Sequence, residues 1–176
     1  EQTGRPLDMA IEGEGYFQVQ LANGQMAYTR DGSFTISDQG TLVTNGGYTI
    51  APGISVPNDA TNLVVSRTGV VTVTLSGSPE GVEIGRLELA RFPNSPGLRA
   101  LGENLFQETA ASGPPTLGFP QEDGFGRLLQ GTLEGSNVEI VQEMVEMITA
   151  LRAYEINSKA VTSAEEMAEI ANSLIR

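Results

Sequence analysis

Four carboxylates in the first quarter of the chain are the residues most able to do chemistry: Glu12, Glu14, Asp31 and Asp38. Two of them, facing each other across a cleft, could supply the acid and the base or nucleophile of a glycosidase. Each stands beside or close to a glycine, however, as turn residues do. Asp31 and Asp38 also lack the spacing of an EF-hand calcium loop. We therefore expect turn residues here, and we predict no catalytic, cofactor-binding or metal-binding residue.

The Gly13-Glu14-Gly15 motif superficially resembles a glycine-rich phosphate loop. A phosphate loop leads into a helix whose first amides bind the anion. Here an alternating strand pattern follows instead, and an acidic residue occupies the place where the phosphate would sit. A strained β-turn is the prediction.

Composition removes several classes of function. The 176 residues include no cysteine and no histidine, which excludes disulfides, thiolate sites, the Ser-His-Asp triad and the usual zinc sites within this sequence. The net charge is −12, whereas nucleic acids and anionic membrane surfaces attract clustered Lys and Arg. No apolar run approaches the ~20 residues that span a bilayer. We predict neither nucleic-acid binding nor membrane insertion.

Short alternating stretches, typical of half-buried strands, occupy most of the chain from residue 7 to residue 133. Glycine-containing turn signals separate them at regular spacing. These signals are Asn23-Gly24, Asp31-Gly32, Asp38-Gln39-Gly40, Asn45-Gly46-Gly47 and Thr68-Gly69. The pattern predicts a mainly β body of short antiparallel strands. Because strands and helices do not alternate, a parallel α/β sheet is not expected.

Two later stretches of the β body carry further expectations. Residues 82–92 have a long strand pattern, with Ile84 and either Leu87 or Leu89 pointing inward. Residues 110–126 are rich in Gly, Pro and polar residues, which indicates an exposed loop. We place the boundary of the β body at residue 135.

The last stretch, residues 136–176, contains no glycine and no proline, the two strongest helix breakers. It opens with Ser136-Asn137-Val138-Glu139, a capping-box pattern. Its apolar residues recur at helical spacing, which predicts one helix of roughly 60 Å. Because a strand of five or six residues spans only about 17–20 Å, the helix should extend past any sheet of this chain and pack on other helices.

The apolar residues of this helix do not follow one heptad seam, since Tyr154 and Val161 lie off the line through Ile156 and Ala160. We therefore expect a coiled-coil-type helix with more than one face buried in a multi-helix assembly. The predicted assembly interface consists of Val141, Met144, Val145, Ile148, Leu151, Tyr154, Ile156, Ala160, Met167 and Leu174.

Several motifs of the chain are recognisable as a set. They are Leu7-Asp8-Met9-Ala10-Ile11-Glu12-Gly13-Glu14-Gly15-Tyr16-Phe17, Tyr28-Thr29-Arg30-Asp31-Gly32-Ser33-Phe34, Leu129-Gln130-Gly131-Thr132-Leu133-Glu134-Gly135-Ser136-Asn137-Val138, Glu143-Met144-Val145 and Arg152-Ala153-Tyr154-Glu155-Ile156-Asn157-Ser158-Lys159-Ala160. In this order they resemble the signatures of the flagellar rod and hook proteins. Gly102-Glu103-Asn104-Leu105-Phe106, with Glu108-Thr109, is similar to the distal-rod members in particular.

The resemblance implies a structural, non-enzymatic subunit without cofactors. It implies a homo-oligomer stacked into a hollow helical tube, which carries motor torque across the periplasm as the rod of the basal body. Residues 1–135 would form the outer layer and residues 136–176 the inner tube. The implied partners are other rod and hook proteins, the envelope ring proteins around the rod, and the type III export apparatus. The N-terminal helical segment of the family is absent before Glu1, so we expect the natural partner of the helix to be missing from this chain.

Alternative functions remain open at this stage. Within the family, the chain could be a proximal-rod or hook subunit. Outside it, a β-fold hydrolase with a helical tail would need an enclosed cleft with convergent carboxylates and a raised carboxyl pKa. A binding module or adhesin would need a ligand groove on the β body.

Overall fold

The computed structural model describes residues 1–78, 80–135 and 140–174, and the side chains of its helix from residue 144 to residue 167. The chain divides into two compact units, Glu1–Gly135 and Ser136–Arg176. The first unit is built of short strands and the second contains one long helix. The prediction of a mainly β protein with a long C-terminal helix is confirmed.

The strands of the first unit, in chain order within the described residues, are short and antiparallel. They are β1 (Met9–Glu12), β2 (Tyr16–Gln20), β3 (Met26–Thr29), β4 (Phe34–Ile36), β5 (Leu42–Thr44), β6 (Thr49–Ile50), β7 (Ala60–Val65), β8 (Val70–Leu75), β9 (Gly81–Arg86), β10 (Leu89–Arg91), β11 (Arg99–Gly102), β12 (Leu105–Gln107), β13 (Thr116–Gly118) and β14 (Arg127–Gln130). A short 3₁₀ turn, Ser95–Gly97, precedes β11.

The largest sheet has the strand order β11-β12-β3-β2-β6-β5-β4, and β10 joins it by pairing with β2 and β13. Its local hairpins lie at the predicted turns. Asn23-Gly24 connects β2 to β3, and the turns before Thr41 and Tyr48 connect β4 to β5 and β5 to β6. The pairing of β6 with β2 joins the two groups of hairpins.

Two smaller sheets complete the body. The strands β7, β8 and β9 form a three-stranded sheet, with the predicted turn at Thr68-Gly69 between β7 and β8. The first and last strands of the body, β1 and β14, pair with each other, and Met9 lies opposite Gln130.

The hydrophobic core lies between the sheets, and most of the strands contribute at least one side chain to it. Phe17 and Phe34 are fully buried and meet edge-to-face, with ring centroids 5.0 Å apart. Burying each such side chain contributes about 1.5–3 kcal/mol. A second cluster on the other side of the large sheet contains Tyr28, Ala90 and Phe92.

Asp31-Gly32, predicted as a tight turn between strands, does not connect paired strands, because β3 and β4 do not pair with each other. The Asp31 carboxylate instead accepts hydrogen bonds from the backbone N–H and the hydroxyl of Ser33, at 2.9 and 2.7 Å. Gly32 lies against β1 and accepts a hydrogen bond from the Met9 amide at 2.9 Å. The missing Cβ of Gly32 permits this close approach of two backbones.

The predicted single strand over residues 82–92 is two strands, β9 and β10, which belong to different sheets. Leu87 and Leu89 are both fully buried, as residues two apart on one face can be, whereas only one of them was predicted to point inward. The predicted loop over residues 110–126 contains β13 and the core residue Phe125. Leu117 of β13 is exposed, so no buried alternation marked that strand in the sequence.

The second unit contains α1, Ile140–Leu174, of 35 residues, which at 1.5 Å per residue is about 50 Å long. The predicted capping box at Ser136 and Glu139 lies outside the described residues. None of the helical segments in the described part of the chain combines the length and apolar composition that a bilayer crossing needs.

Candidate assembly surface

The predicted interface residues of α1 are exposed wherever the structure describes their side chains, and most of them are large and apolar. Their exposed fractions lie between 50% for Ile148 and 74% for Tyr154. The exposed members are Met144, Val145, Ile148, Leu151, Tyr154, Ile156 and Met167, together with the small residue Ala160. Val141 and Leu174 lie in α1 outside the described side chains.

Successive helical residues are rotated by about 100°, so spacing decides which side chains share a face. Met144, Ile148 and Leu151 follow one another at spacings of four and three and form one apolar face. Farther along, Ile156, Ala160 and Met167 form a second face, rotated from the first. The predicted interface is therefore two offset faces rather than one stripe.

Met147 belongs to this surface as well, although it is missing from the predicted interface. It is 65% exposed and precedes Leu151 and Tyr154 at the same four-and-three spacing. That spacing is the signal that could have identified it. With Val161, also exposed, these residues widen the apolar part of the helix surface beyond what one partner helix would cover.

Three of the four carboxylates make contacts within the body, and the fourth, Asp38, is exposed in a turn. Both Glu12 oxygens accept hydrogen bonds from Arg127, each at 2.8 Å, and this contact holds the pKa of the Glu12 carboxyl below its ordinary value. Glu14 lies 3.9 Å from Arg91, and Asp38 is exposed in the β4–β5 turn. A hydrolase acid needs a raised pKa, so the shift at Glu12 has the wrong direction for that role.

Asp31 faces an open cleft of about 320 Å³ that also receives Glu103 and Asn104. The Glu103 carboxylate accepts a hydrogen bond from the Tyr48 hydroxyl at 3.3 Å, and the Asn104 amide donates to Asp31 at 3.4 Å. These contacts hold the tip of the β11–β12 hairpin. Over the described residues, no group of three or more acidic side chains converges as a metal site would require.

The Gly13-Glu14-Gly15 turn presents carbonyl oxygens rather than amides. The carbonyls of Gly13 and Gly15 accept hydrogen bonds from the Arg30 guanidinium at 3.1 and 3.0 Å, and the Glu14 carbonyl accepts from the Gly126 amide at 2.8 Å. Oxygens repel a phosphate, so this turn cannot act as a phosphate cradle. Positive φ angles at both glycines, 114° and 144°, agree with the predicted strained turn.

Comparison with known proteins decides the family. Residues 10–73 match the family model described as flagellar hook protein FlgE/F/G D1 domain, and residues 129–174 match the model described as flagellar basal body rod FlgEFG protein C-terminal. A flagellar basal-body rod protein FlgG of Borreliella burgdorferi is 48% identical over 178 residues, which cover all of this chain and 67% of that protein. The chain belongs to the flagellar rod and hook protein family.

Sequence identity to other members of this family differs between its FlgG and FlgF branches. The FlgG protein of Caulobacter vibrioides is 49% identical over 98% of this chain, and the FlgF protein of Escherichia coli is 34% identical over 99% of it. The chain covers 66% of the Caulobacter protein and 64% of the FlgG protein of Agrobacterium fabrum, slightly less than two thirds of each. The resemblance predicted from the motifs is thereby confirmed, with FlgG-like proteins as the more similar branch.

Proposed function

We propose that this chain is part of a structural subunit of the flagellar distal rod, which assembles into a hollow helical shaft and transmits motor torque to the hook. The observation that carries the proposal is the 46–51% identity to several proteins named flagellar basal-body rod protein FlgG. The location that follows is the part of the basal body that crosses the periplasm.

In this proposal the two units have separate mechanical roles. Residues 1–135 form the outer layer of the shaft, and the helical unit, residues 136–176, forms the inner tube. Copies of the same subunit are the principal partners. Other rod and hook proteins at the two ends, the envelope ring proteins around the shaft, and the export apparatus that delivers the subunit are the further partners.

The exposed apolar faces of α1 support an assembly role. Covering one Leu, Ile or Met side chain is worth about 1.5–3 kcal/mol, so burying several of them offsets the ordering cost of association. Val141 and Leu174 are part of the proposed interface on the basis of their helical spacing. A helix with two offset apolar faces, rather than one, is suited to neighbours on more than one side.

A double substitution on the first apolar face tests the proposal. Ile148→Asp with Leu151→Asp would place two carboxylates where apolar contacts form, and a buried unpaired charge costs several kcal/mol. We expect the full-length protein to lose tube formation in electron micrographs while its β body stays folded, as judged by the cooperative denaturant transition of the body.

The matched control is Ile148→Met with Leu151→Met, which changes the same two side chains and keeps both apolar and of similar size. This variant should still form tubes. Tubes formed equally well by the Ile148/Leu151 variant would refute α1 as the assembly element.

Complementation separates the distal-rod assignment from a proximal one. The full-length protein should restore swimming to a bacterium that lacks its FlgG protein and should not restore it to one that lacks FlgF. The opposite outcome would favour the proximal rod.

A further inference from the structure

Residues 130–134, the segment by which the chain leaves the β body, are anchored more heavily than a terminal strand requires. Terminal segments of domains are ordinarily among the least ordered parts. Here the helical unit follows immediately, from Ser136. How the exit segment is held therefore decides how force on the helical unit enters the body.

The first anchor is a clasp with residues 1–8. The amides of Thr3 and Gly4 donate to the Gly131 carbonyl at 2.9 and 3.1 Å, and the Gly131 amide donates to the Asp8 carbonyl at 2.7 Å. The Asp8 carboxylate is fully buried and accepts a hydrogen bond from the Thr3 hydroxyl at 2.6 Å. The clasp extends the pairing of β1 with β14.

The second anchor is the Gln130 side chain. Its amide nitrogen donates to the carbonyls of Pro6 and Leu63, at 2.7 and 2.9 Å, and its oxygen accepts from the Val65 amide at 3.1 Å. The amide group thus pairs with the edge of β7 as a neighbouring strand would, which satisfies edge groups that would otherwise lack a partner. It ties the exit segment to the three-stranded sheet.

The third anchor is Arg30, directly after β3 of the large sheet. Its Nε donates to the Glu134 carboxylate at 2.7 Å, and its two terminal nitrogens donate to the carbonyls of Ile11, Gly13 and Gly15 at 3.0–3.1 Å. The planar guanidinium fixes all four acceptors at once, which a lysine could not do.

The anchors lead to different parts of the described body: the clasp to the segment before β1, Gln130 to β7 of the three-stranded sheet, and Arg30 to the end of β3 in the large sheet. We propose that the exit segment is a load-distributing anchor, in which Gln130 and Arg30 are positioning residues that pass force from the helical unit separately into the three-stranded sheet and the large sheet. The inference rests on the proposed function in one respect, which is that the transmitted torque is the source of the force on the exit segment. The division of the load follows from the contacts within residues 1–135.

Single-molecule pulling on the full chain tests this division. The sequence contains no cysteine, so two introduced cysteines give unique handles. One handle is Gly135→Cys, at a site with open space around its Cα. The other is either Ser76→Cys, exposed beyond β8, or Gln39→Cys, exposed in the β4–β5 turn. The first pair loads the path to the three-stranded sheet and the second pair loads the path to the large sheet.

Each variant should weaken one path only. Gln130→Leu removes three hydrogen bonds and should raise the rupture rate at constant force at least about tenfold between residues 135 and 76. Arg30→Lys should do the same between residues 135 and 39. Each variant should leave the other path within about twofold of the parent chain.

Arg86→Lys is the matched control for Arg30→Lys on the path between residues 135 and 39. The two arginines are similarly exposed, 27% and 29%, and Arg86 makes its own ion pair with Glu122 at 2.6 Å. The control should not change the rupture rate.

If either variant raised the rupture rate equally for both pairs of handles, the substitution would destabilise the body in general, and the inference would be overturned. An unchanged rupture rate for both pairs would overturn it as well. The two variants are measured with different pairs of handles. If one variant fails to fold, the other still tests the inference. The measurement uses single chains, so its result is independent of whether the protein forms tubes.

Discussion

Arg127 holds the Glu12 carboxylate through two parallel hydrogen bonds, each 2.8 Å long, and this pair ties the end of β1 to the start of β14. The contact with Arg127 lowers the pKa of Glu12. A carboxyl with a lowered pKa contributes stability above its unfolded-state pKa, and that contribution is lost as the pH falls through its folded-state pKa.

The pH dependence of the Arg127→Met variant should therefore differ from that of the parent chain. At pH 7 the parent should be the more stable protein, with a higher urea midpoint. The difference should shrink as the pH falls past the ordinary glutamate value of about 4.3 and vanish once Glu12 is protonated in both proteins. A difference that stays constant from pH 7 to pH 3 would show that the guanidinium acts through packing rather than charge.

Adding a single Cβ atom at Gly32 should strongly lower the free energy of unfolding. A Cβ at this position would overlap the Met9 carbonyl oxygen, whereas a Cβ at Gly135 would meet nothing within 4 Å. Gly32→Ala must displace β1 and should cost at least about 3 kcal/mol of unfolding free energy, or prevent folding. Gly135→Ala should change it by less than about 0.5 kcal/mol. Equal urea midpoints for the two variants would contradict this account.

Among the elements, the β11–β12 hairpin turns through Glu103 and Asn104, with φ angles of 53° and 59°. Two-residue hairpin loops favour such left-handed conformations, for which Asn and Gly are the usual residues. Glutamate has a Cβ and no local hydrogen bond to offset the left-handed conformation, which costs about 1–2 kcal/mol. The exposed Tyr48 contact recovers only part of this.

Replacing Glu103 by Asn should therefore stabilise the body by about 0.5–1 kcal/mol, measured as a higher urea midpoint at unchanged slope. Glu103→Gln is the control, because it removes the charge and keeps the unfavourable backbone conformation. It should give no gain. If Gln stabilised the chain as much as Asn, the charge in the cleft rather than the turn would be the source of strain.

Sequence patterns predicted the elements that depend on neighbours along the chain. The turns at Asn23-Gly24, Asn45-Gly46-Gly47 and Thr68-Gly69 each contain a glycine at positive φ, and each connects paired strands. The Glu103-Asn104 turn escaped prediction because both of its residues have positive φ angles and neither is a glycine. Local chemistry thus identifies a hairpin only when its residues are the ones that the conformation prefers.

Long-range pairing could not be predicted in the same way. The strand pattern over residues 82–92 did not show that the chain changes sheets between β9 and β10, and Phe125 is buried only because its loop folds back onto the core. Burial of this kind is decided by segments far away in sequence. The helix is the opposite case, since the periodicity of its apolar residues predicted both the element and its apolar faces without tertiary information. Met147 follows the same periodicity and was simply not included in the predicted interface.

The whole molecule combines a net charge of −12 with a long helix whose described apolar side chains are exposed. The two features oppose each other during assembly. Like charges on identical subunits repel over distances set by the ionic strength, while apolar contact favours association at short range. A subunit of this kind should remain separate in dilute salt and associate once its charges are screened.

Assembly of the full-length protein should therefore increase with ionic strength at pH 7. The Debye length falls from about 30 Å at 0.01 M to about 8 Å at 0.15 M salt, which removes most repulsion between neighbouring bodies and leaves the apolar contacts of α1 intact. Light scattering and sedimentation should show larger assemblies at the higher salt concentration. The Ile148→Asp, Leu151→Asp protein should stay unassembled at both, because screening cannot restore apolar contact. Assembly that weakens with added salt would mean that ion pairs between subunits, rather than the helix faces, supply the attraction.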